Sequence, residues 1–177
     1  MLYYKKTASP LGEITLRSDG VALTGLWFAC DKHYGDKNIA EATAKPLAVF
    51  TQAEKWLEEY FAGTQPQTKV PLKLLGTPFQ KAVWQLLQKI PYGQLLTYAD
   101  IAREIAQQQG LKCMSAQAVG GAVGHNPLCL IVPCHRVIGK SGSLTGYAGG
   151  IQRKVALLQL ESVDMSKLTV PTKGTAL

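Results

Sequence analysis

Residues 128–132, Leu128-Cys129-Leu130-Ile131-Val132, form an unbroken apolar run that leads into Pro133-Cys134-His135-Arg136-Val137-Ile138. A short continuous apolar run reads as a strand buried on both faces. The segment therefore predicts a central strand that delivers Cys134 to the edge of a core. A thiol is a weak nucleophile until it ionises, and a nearby histidine is a common means of ionising it. Taken alone, the Cys-His pair is a weak signal. Adjacent residues on a strand point to opposite faces, and a buried cysteine serves equally well as a small hydrophobe.

The chain has 177 residues, enough for one large domain or two small ones around a real core. No apolar run approaches the roughly 18 residues of a membrane span. Met1-Leu2-Tyr3-Tyr4-Lys5-Lys6 lacks the layout of a signal peptide. The expected location is cytoplasmic, with no membrane partner. The four cysteines, Cys30, Cys113, Cys129 and Cys134, contain no C-x-x-C pair. Cys30 and His33 are spaced like half of a zinc site, but no second half follows, so no metal site is expected. Cys129 falls inside the apolar run and is expected in the core, whereas Cys113 falls in a turn-like segment.

Charge is segregated along the chain. Residues 1–71 hold eight Lys/Arg and eight Asp/Glu. Residues 72–177 hold eleven against four, so the whole formal charge of +7 lies in the second part. A basic half points to a polyanion, most often nucleic acid. Simple solubility would not require such a division.

Residues 1–71 predict a small α/β unit. Tyr3 to Ala8 reads as a first strand. Glu13 to Ser18 and Val21 to Phe28 flank Asp19-Gly20, a hairpin signal. Leu47, Phe50, Ala53, Trp56, Leu57, Tyr60 and Phe61 recur at helical spacing, and Gly63 is placed to end that helix. The polar, proline-containing stretch Gly63 to Lys69 is the expected linker.

Residues 72–165 predict a mainly helical unit, followed by a tail over 166–177. Thr77-Pro78 is a helix start, with a capping hydroxyl and a proline in the first turn. Phe79, Val83, Leu86, Leu87 and Ile90 form its apolar face before Pro91-Tyr92-Gly93 breaks it. Thr97 is placed to cap a helix from Tyr98 to Ala106, with Ile101 and Ile105 facing inward. Ser115 is placed to cap another from Ala116 to Val123. Two short helices joined by a turn containing Gly110, inside the basic half, fit a helix-turn-helix.

The second of these helices carries Gly120, Gly121 and Gly124, and each interior glycine costs about 1 kcal/mol relative to alanine. Its small side chains suit either close helix packing or a broad surface such as a DNA backbone. After Cys134, glycines at 139, 142, 146, 149 and 150 describe a loop able to wrap a ligand. Gly139-Lys140-Ser141 lacks the upstream glycine and following helix of a phosphate-binding loop. A last helix is expected from Ile151 to Glu161.

Pro133-Cys134-His135-Arg136-Val137, preceded by Gly124-His125-Asn126-Pro127, resembles the signature of the O6-alkylguanine-DNA alkyltransferases, also called methylated-DNA–protein-cysteine methyltransferases. The resemblance covers about residues 72–165. It includes Thr77-Pro78-Phe79-Gln80, Ile90-Pro91-Tyr92-Gly93, Thr97-Tyr98, Ala118-Val119-Gly120-Gly121, Gly146-Tyr147-Ala148-Gly149-Gly150, Lys154, Leu157-Leu158 and Glu161. Residues 1–71 look like the family's variable N-terminal domain, without a specific motif. The implied fold is α+β: a small N-terminal α/β domain of ribonuclease-H-like type, then a mainly helical C-terminal domain with a helix-turn-helix of winged-helix type.

The implied activity is DNA repair by direct, irreversible transfer of an alkyl group, methyl above all, to Cys134. The donor is O6-alkylguanine and, by extension, O4-alkylthymine. The protein acts once and needs no cofactor. The implied partner is duplex DNA carrying alkylated bases, bound through its minor groove by a monomer with little sequence specificity.

The resemblance also implies roles. Cys134 is the acceptor thiolate. His135 takes its proton through a water molecule, and Glu161 orients and charges the histidine as in a triad. Without the family, Glu161 reads as a solvated residue at a helix end. Asn126 resembles the hinge asparagine that ties the helix-turn-helix to the active-site strand. Tyr98 stands beside the flipped nucleotide, where its ring crowds the rotated phosphate and its hydroxyl donates to guanine. Val137, Tyr147, Ala148 and Gly149 wall the pocket, with Lys154 among the substrate-binding residues. Ser115, Gln117, Ala118, Gly120, Gly121 and Arg136 make up the DNA-binding set, Arg136 having a more structural role.

Two positions depart from the family pattern. Gln117 stands where many members have an arginine that fills the gap left by the flipped base, and glutamine offers no cation–π stacking. Ala148 stands where some members have serine, which removes a hydroxyl donor to O6. Three competing classes remain: a non-catalytic binding protein that marks alkylation damage, a cysteine hydrolase, and a transcriptional regulator. Cys134 argues against the first and the basic helix-turn-helix against the second. The third needs side chains that read base edges, and the helix after Ser115 has almost none.

Overall fold

A computed structural model describes residues 1–29, 31, 39 and 41–171. Cys30 and His33, the half-site considered for zinc, lie outside the described residues, as does the end of the tail from 172. The chain forms two compact units. The first comprises Met1–Leu75 with Pro127–Cys129, and the second comprises Gly76–Asn126 with the chain from Leu130 onward. Together they give a mixed α+β architecture, with a sheet in the first unit and mainly helices in the second.

In the first unit, strands β1 (Tyr3–Thr7), β2 (Ile14–Ser18), β3 (Leu23–Phe28) and β4 (Thr43–Ala44) build a sheet in the order β3-β2-β1-β4. β1–β2 and β2–β3 are antiparallel, and the short β4, which no sequence signal marked, is parallel to β1. The β2–β3 ladder closes at Ser18 opposite Leu23, so the hairpin loop is Asp19–Ala22 rather than a two-residue turn. Asp19 Oδ1 accepts from the amides of Val21 and Ala22, an Asx arrangement that stabilises the longer loop.

Helix α1 (Ala48–Phe61) packs on β2 and β3 and buries Val49, Phe50, Ala53, Leu57 and Tyr60. Gly63, at φ +79°, ends it as expected. The stretch from Gly63 to Lys69 is no linker. It lies inside this unit, where the Glu59 carboxylate accepts from Gln67 N at 2.7 Å, Thr68 N at 3.0 Å and Thr68 Oγ1 at 2.5 Å.

The second unit is built from capped helices. Thr77 Oγ1 and Gln80 form a capping box at the start of α2 (Pro78–Leu87). Thr97 and Asp100 form another at the start of α3 (Tyr98–Gln108). Ser115 Oγ accepts from Gln117 N and Ala118 N at the start of α4 (Ala116–Gly124). These three helices pack against one another. Trp84, buried on α2, donates Nε1–H to the Ala122 carbonyl of α4 at 2.8 Å. The short strands β5 (Leu96–Thr97) and β6 (Val137–Ile138) pair in parallel. Helix α5 (Ile151–Leu160) follows the glycine-rich segment. Among the described residues no helix is long and apolar enough to cross a membrane.

The central strand expected over residues 128–132 does not form. Leu128 makes only an isolated bridge to Leu26, closed by Leu26 N to Pro127 O and Cys129 N to Leu26 O. Leu130 then adopts φ +70°, which turns the chain. Cys134–Arg136 form a single 3-10 turn, and the strand β6 begins after them. Leu128, Cys129, Leu130 and Val132 are buried, as expected. A buried apolar turn and a buried apolar strand share one composition, and periodicity cannot separate them over five residues.

Candidate active site

The 3-10 turn after Pro133 points Cys134, His135 and Arg136 into the interior of the second unit. Cys134 is 3 % exposed and His135 fully buried. Asn126, just past the end of α4, donates Nδ2–H to the Val132 carbonyl at 2.7 Å and to Cys134 Sγ at 3.1 Å. One amide thus fixes the turn and faces the sulfur, where its N–H dipole favours the anionic form. The expected link from α4 to the cysteine is present, but it reaches a turn rather than a strand.

Glu161 caps the C-terminus of α5 and is buried. Its Oε1 is 2.7 Å from His135 Nε2. Arg136 reaches the same carboxylate with two nitrogens, Nε to Oε2 at 2.8 Å and Nη2 to Oε1 at 2.9 Å. Gly93 N donates to Oε2 at 3.0 Å. Burial alone would push the Glu161 carboxyl up, but the hydrogen bonds and charges of His135 and Arg136 outweigh it and hold it well below the usual carboxylate range. His135 is held below its ordinary value chiefly by burial, against the pull of Glu161. The two shifts favour an ionised Glu161 and a neutral His135, the state in which Nε2–H donates to Oε1.

Lys154, on α5, is wholly buried. Its ammonium donates to the Val137 carbonyl at 2.5 Å and the Thr145 carbonyl at 2.8 Å. Burial pushes it down to about 8, and the nearby Cys134 acts in the opposite direction. Tyr98, the first residue of α3, donates its hydroxyl to the Thr145 carbonyl at 3.1 Å. The segment leading to Tyr147, Ala148 and Gly149 is therefore tied at Thr145 by two side chains. Gly146, at φ +75°, has no room for a Cβ, which would lie 2.5 Å from the Tyr98 oxygen. Burial raises the Tyr98 phenol, so it stays protonated. The expected donation from Tyr98 to guanine thus requires it to exchange its bond to Thr145. Tyr147 sets its ring edge-on to His135, centroids 6.4 Å apart, and Gly149 is buried beside it. Ala148 is half-buried.

Ser115, Gln117, Ala118 and Gly121 lie exposed along α4. A Cβ at Gly121 or Gly124 would meet nothing within 4 Å, while one at Gly120 would touch the Tyr98 ring at 3.9 Å. The Gly121 and Gly124 positions are therefore not required by helix packing, which uses Val119, Ala122 and Val123 instead. Arg136 does not belong to this surface. It is buried, its remaining nitrogen Nη1 donates to the Ile90 carbonyl at 2.7 Å, and its Cζ lies 5.6 Å from the Tyr92 ring centroid. The reason is local: the 3-10 turn aims it at Glu161.

Two family descriptions match the chain in tandem. Residues 2–74 match "6-O-methylguanine DNA methyltransferase, ribonuclease-like domain", and residues 78–163 match "6-O-methylguanine DNA methyltransferase, DNA binding domain". The chain belongs to the 6-O-methylguanine DNA methyltransferase family. It is 46% identical over 161 residues to the methylated-DNA–protein-cysteine methyltransferase of Mycobacterium tuberculosis, covering 91% of this chain and 93% of that one. It is 40% identical over 174 residues to that of Haemophilus influenzae, covering 97% and 93%. Its structure superposes on that of the M. tuberculosis protein crystallised with DNA at a TM-score of 0.79, with 46% identity over 90% of this chain and 93% of the other.

For a 6-O-methylguanine DNA methyltransferase, the set around Cys134 is chemically apt. It joins a thiol faced by an amide donor, a neutral imidazole, a carboxylate that orients it and a buried ammonium. Ile90, on the apolar face of its helix, and Tyr92 and Gly93, in the break that follows, carry no sequence sign of a role at the site beyond the matched tetrapeptide. Their contacts to Glu161, Arg136 and Leu160 leave no local signal, because each partner comes from a distant segment. Trp84 was missed for the same reason. Among the described residues no group of three or more His, Cys, Asp and Glu could hold a metal ion.

Proposed function

We propose that this chain repairs alkylated DNA by moving the alkyl group from guanine O6 onto Cys134. It is a methylated-DNA–protein-cysteine methyltransferase, and the observation that carries this reading is Cys134 held by Asn126 next to the buried His135–Glu161 pair. In the transfer, the Cys134 thiolate attacks the alkyl carbon, a C–S bond forms and the C–O6 bond breaks. The electron pair of that bond leaves with the guanine, which takes up a proton. The thiol proton passes to His135, through its Nδ1 and a water molecule, while Nε2 stays on Glu161. The thioether has no route back, so each molecule acts once.

The target base is stacked in a duplex and must be rotated out, at a cost of a few kcal/mol. Tyr98 would stand at the base of that pocket, with Val137, Tyr147, Ala148 and Gly149 as walls and Lys154 fixing their backbone. The exposed α4 face with Ser115, Gln117, Ala118, Gly120 and Gly121 would enter the minor groove, Gln117 filling the gap left by the base. A cytoplasmic monomer with a ribonuclease-H-like N-terminal domain and a winged-helix-type DNA-binding and acceptor domain completes the reading. O4-alkylthymine is the second substrate class it admits. A non-catalytic damage-binding role is not favoured, since the acceptor cysteine and its supporting groups are all in place.

The test uses duplex DNA labelled in the O6-methyl group. Label is expected to move to the native protein and not to Cys134→Ala, while duplex binding by the variant is retained. Label on the Cys134→Ala protein would overturn the assignment.

A further inference from the structure

Arg136 is a buried guanidinium whose donors all point inward. Two of its nitrogens meet both oxygens of Glu161, and Oε1 is shared with His135 Nε2. We propose that Arg136 is a positioning residue for the transfer reaction: by sharing the Glu161 carboxylate it lets Glu161 orient the His135 ring without drawing a proton onto it, so that His135 stands as a neutral base. The inference deepens the proposed function and rests on it, since a base is needed only if Cys134 is the acceptor.

The physical argument concerns charge balance. A buried carboxylate needs a compensating positive charge. If His135 were its only titratable partner, the imidazole would be the group to supply that charge, and an imidazolium cannot take the thiol proton. Arg136 is always charged and presents a planar fork that matches a carboxylate bidentately. It neutralises Glu161 directly and leaves His135 one directional hydrogen bond. Arg136 is itself held by the Ile90 carbonyl and lies against the Tyr92 ring, so the fork is fixed before any substrate arrives.

Several titratable and charged groups surround His135. They are Glu161 at the end of α5, Lys154 within α5, Cys134 and Arg136 in its own turn, and Tyr147 from the glycine-rich segment, while Tyr92 lies against Arg136 and donates its hydroxyl to Leu160. Glu161 favours the imidazolium. Arg136, Lys154 and burial oppose it, and the net direction is toward the neutral ring.

The experiment compares the native protein with Arg136→Gln and Arg136→Lys. The protonation state of His135 is read by NMR of the 15N-labelled imidazole from about pH 5 to about pH 8, together with the pH dependence of transfer to Cys134. His135 is expected to stay neutral in the native protein and in Arg136→Lys, which keeps the charge. In Arg136→Gln it is expected to gain its proton at higher pH. The acid limb of the rate should move up with it, lowering the ratio of rates at about pH 6 and about pH 8 several-fold. A uniform loss of rate without that shift would mark a merely structural arginine and overturn the proposal. So would a folded Arg136→Gln whose His135 titrates as in the native protein, an imidazolium in the native protein at neutral pH, or a shift in Arg136→Lys equal to that in Arg136→Gln. Should Arg136→Gln not fold, Arg136→Met, which keeps the apolar stem and removes the charge, takes its place with the same expected shift and the same contrary result. Failure of the acceptor assignment reads separately, as absence of an alkyl group on native Cys134, and leaves the imidazole measurement intact.

Discussion

The buried Glu161 carboxylate and the neutral His135 imidazole make the same site respond to acid in two stages. His135 has an ordinary value of 6.5 and is held below it in the folded chain. As pH falls below 6.5, the unfolded chain binds a proton that the folded chain resists, so stability falls with pH. Glu161 acts in the same direction lower down. Its stabilisation is fully present above 4.5 and is lost as pH drops from there toward its depressed folded value. Urea unfolding is therefore expected to give a smaller free energy at about pH 5 than at about pH 7.5, and His135→Gln is expected to flatten that difference. An unchanged slope in the variant would mean that His135 is not the neutral buried group described above.

Among the elements, α4 separates packing from function. Its buried side, Val119, Ala122 and Val123, meets α2 and α3, and Trp84 locks it through the Ala122 carbonyl. Its glycines at 121 and 124 face open space. Gly121→Ala should therefore stabilise the free protein by about 1 kcal/mol, the ordinary helical gain, and weaken duplex binding if the bare backbone is what approaches the DNA. Thermal melts and a DNA titration check both signs. A stabilised variant with native affinity would place the DNA contact elsewhere.

The helix caps at Thr77, Thr97 and Ser115 were legible in the sequence because a cap is satisfied within three residues of itself. The segment at 128–132 was misread because a positive φ at Leu130 has no compositional mark. The Glu161 pairing spans 26 residues. Only the family resemblance placed it beside His135, and nothing local showed that Arg136 would join it rather than face DNA.

At the scale of the whole molecule, charge and chemistry fall in the same part of the chain. Residues 72–177 carry the entire formal charge of +7 together with every side chain of the Cys134 site, while the N-terminal residues 1–71 are neutral. A polyanion is thus drawn to the part that holds Cys134. The most direct measurement is the intact mass of the protein after incubation with excess duplex containing O6-methylguanine, followed by peptide mapping. The account predicts one added methyl group per molecule, located on Cys134, with one lesion repaired for each protein consumed. Repair of several lesions per molecule, or a methyl group located on any other residue, would contradict it.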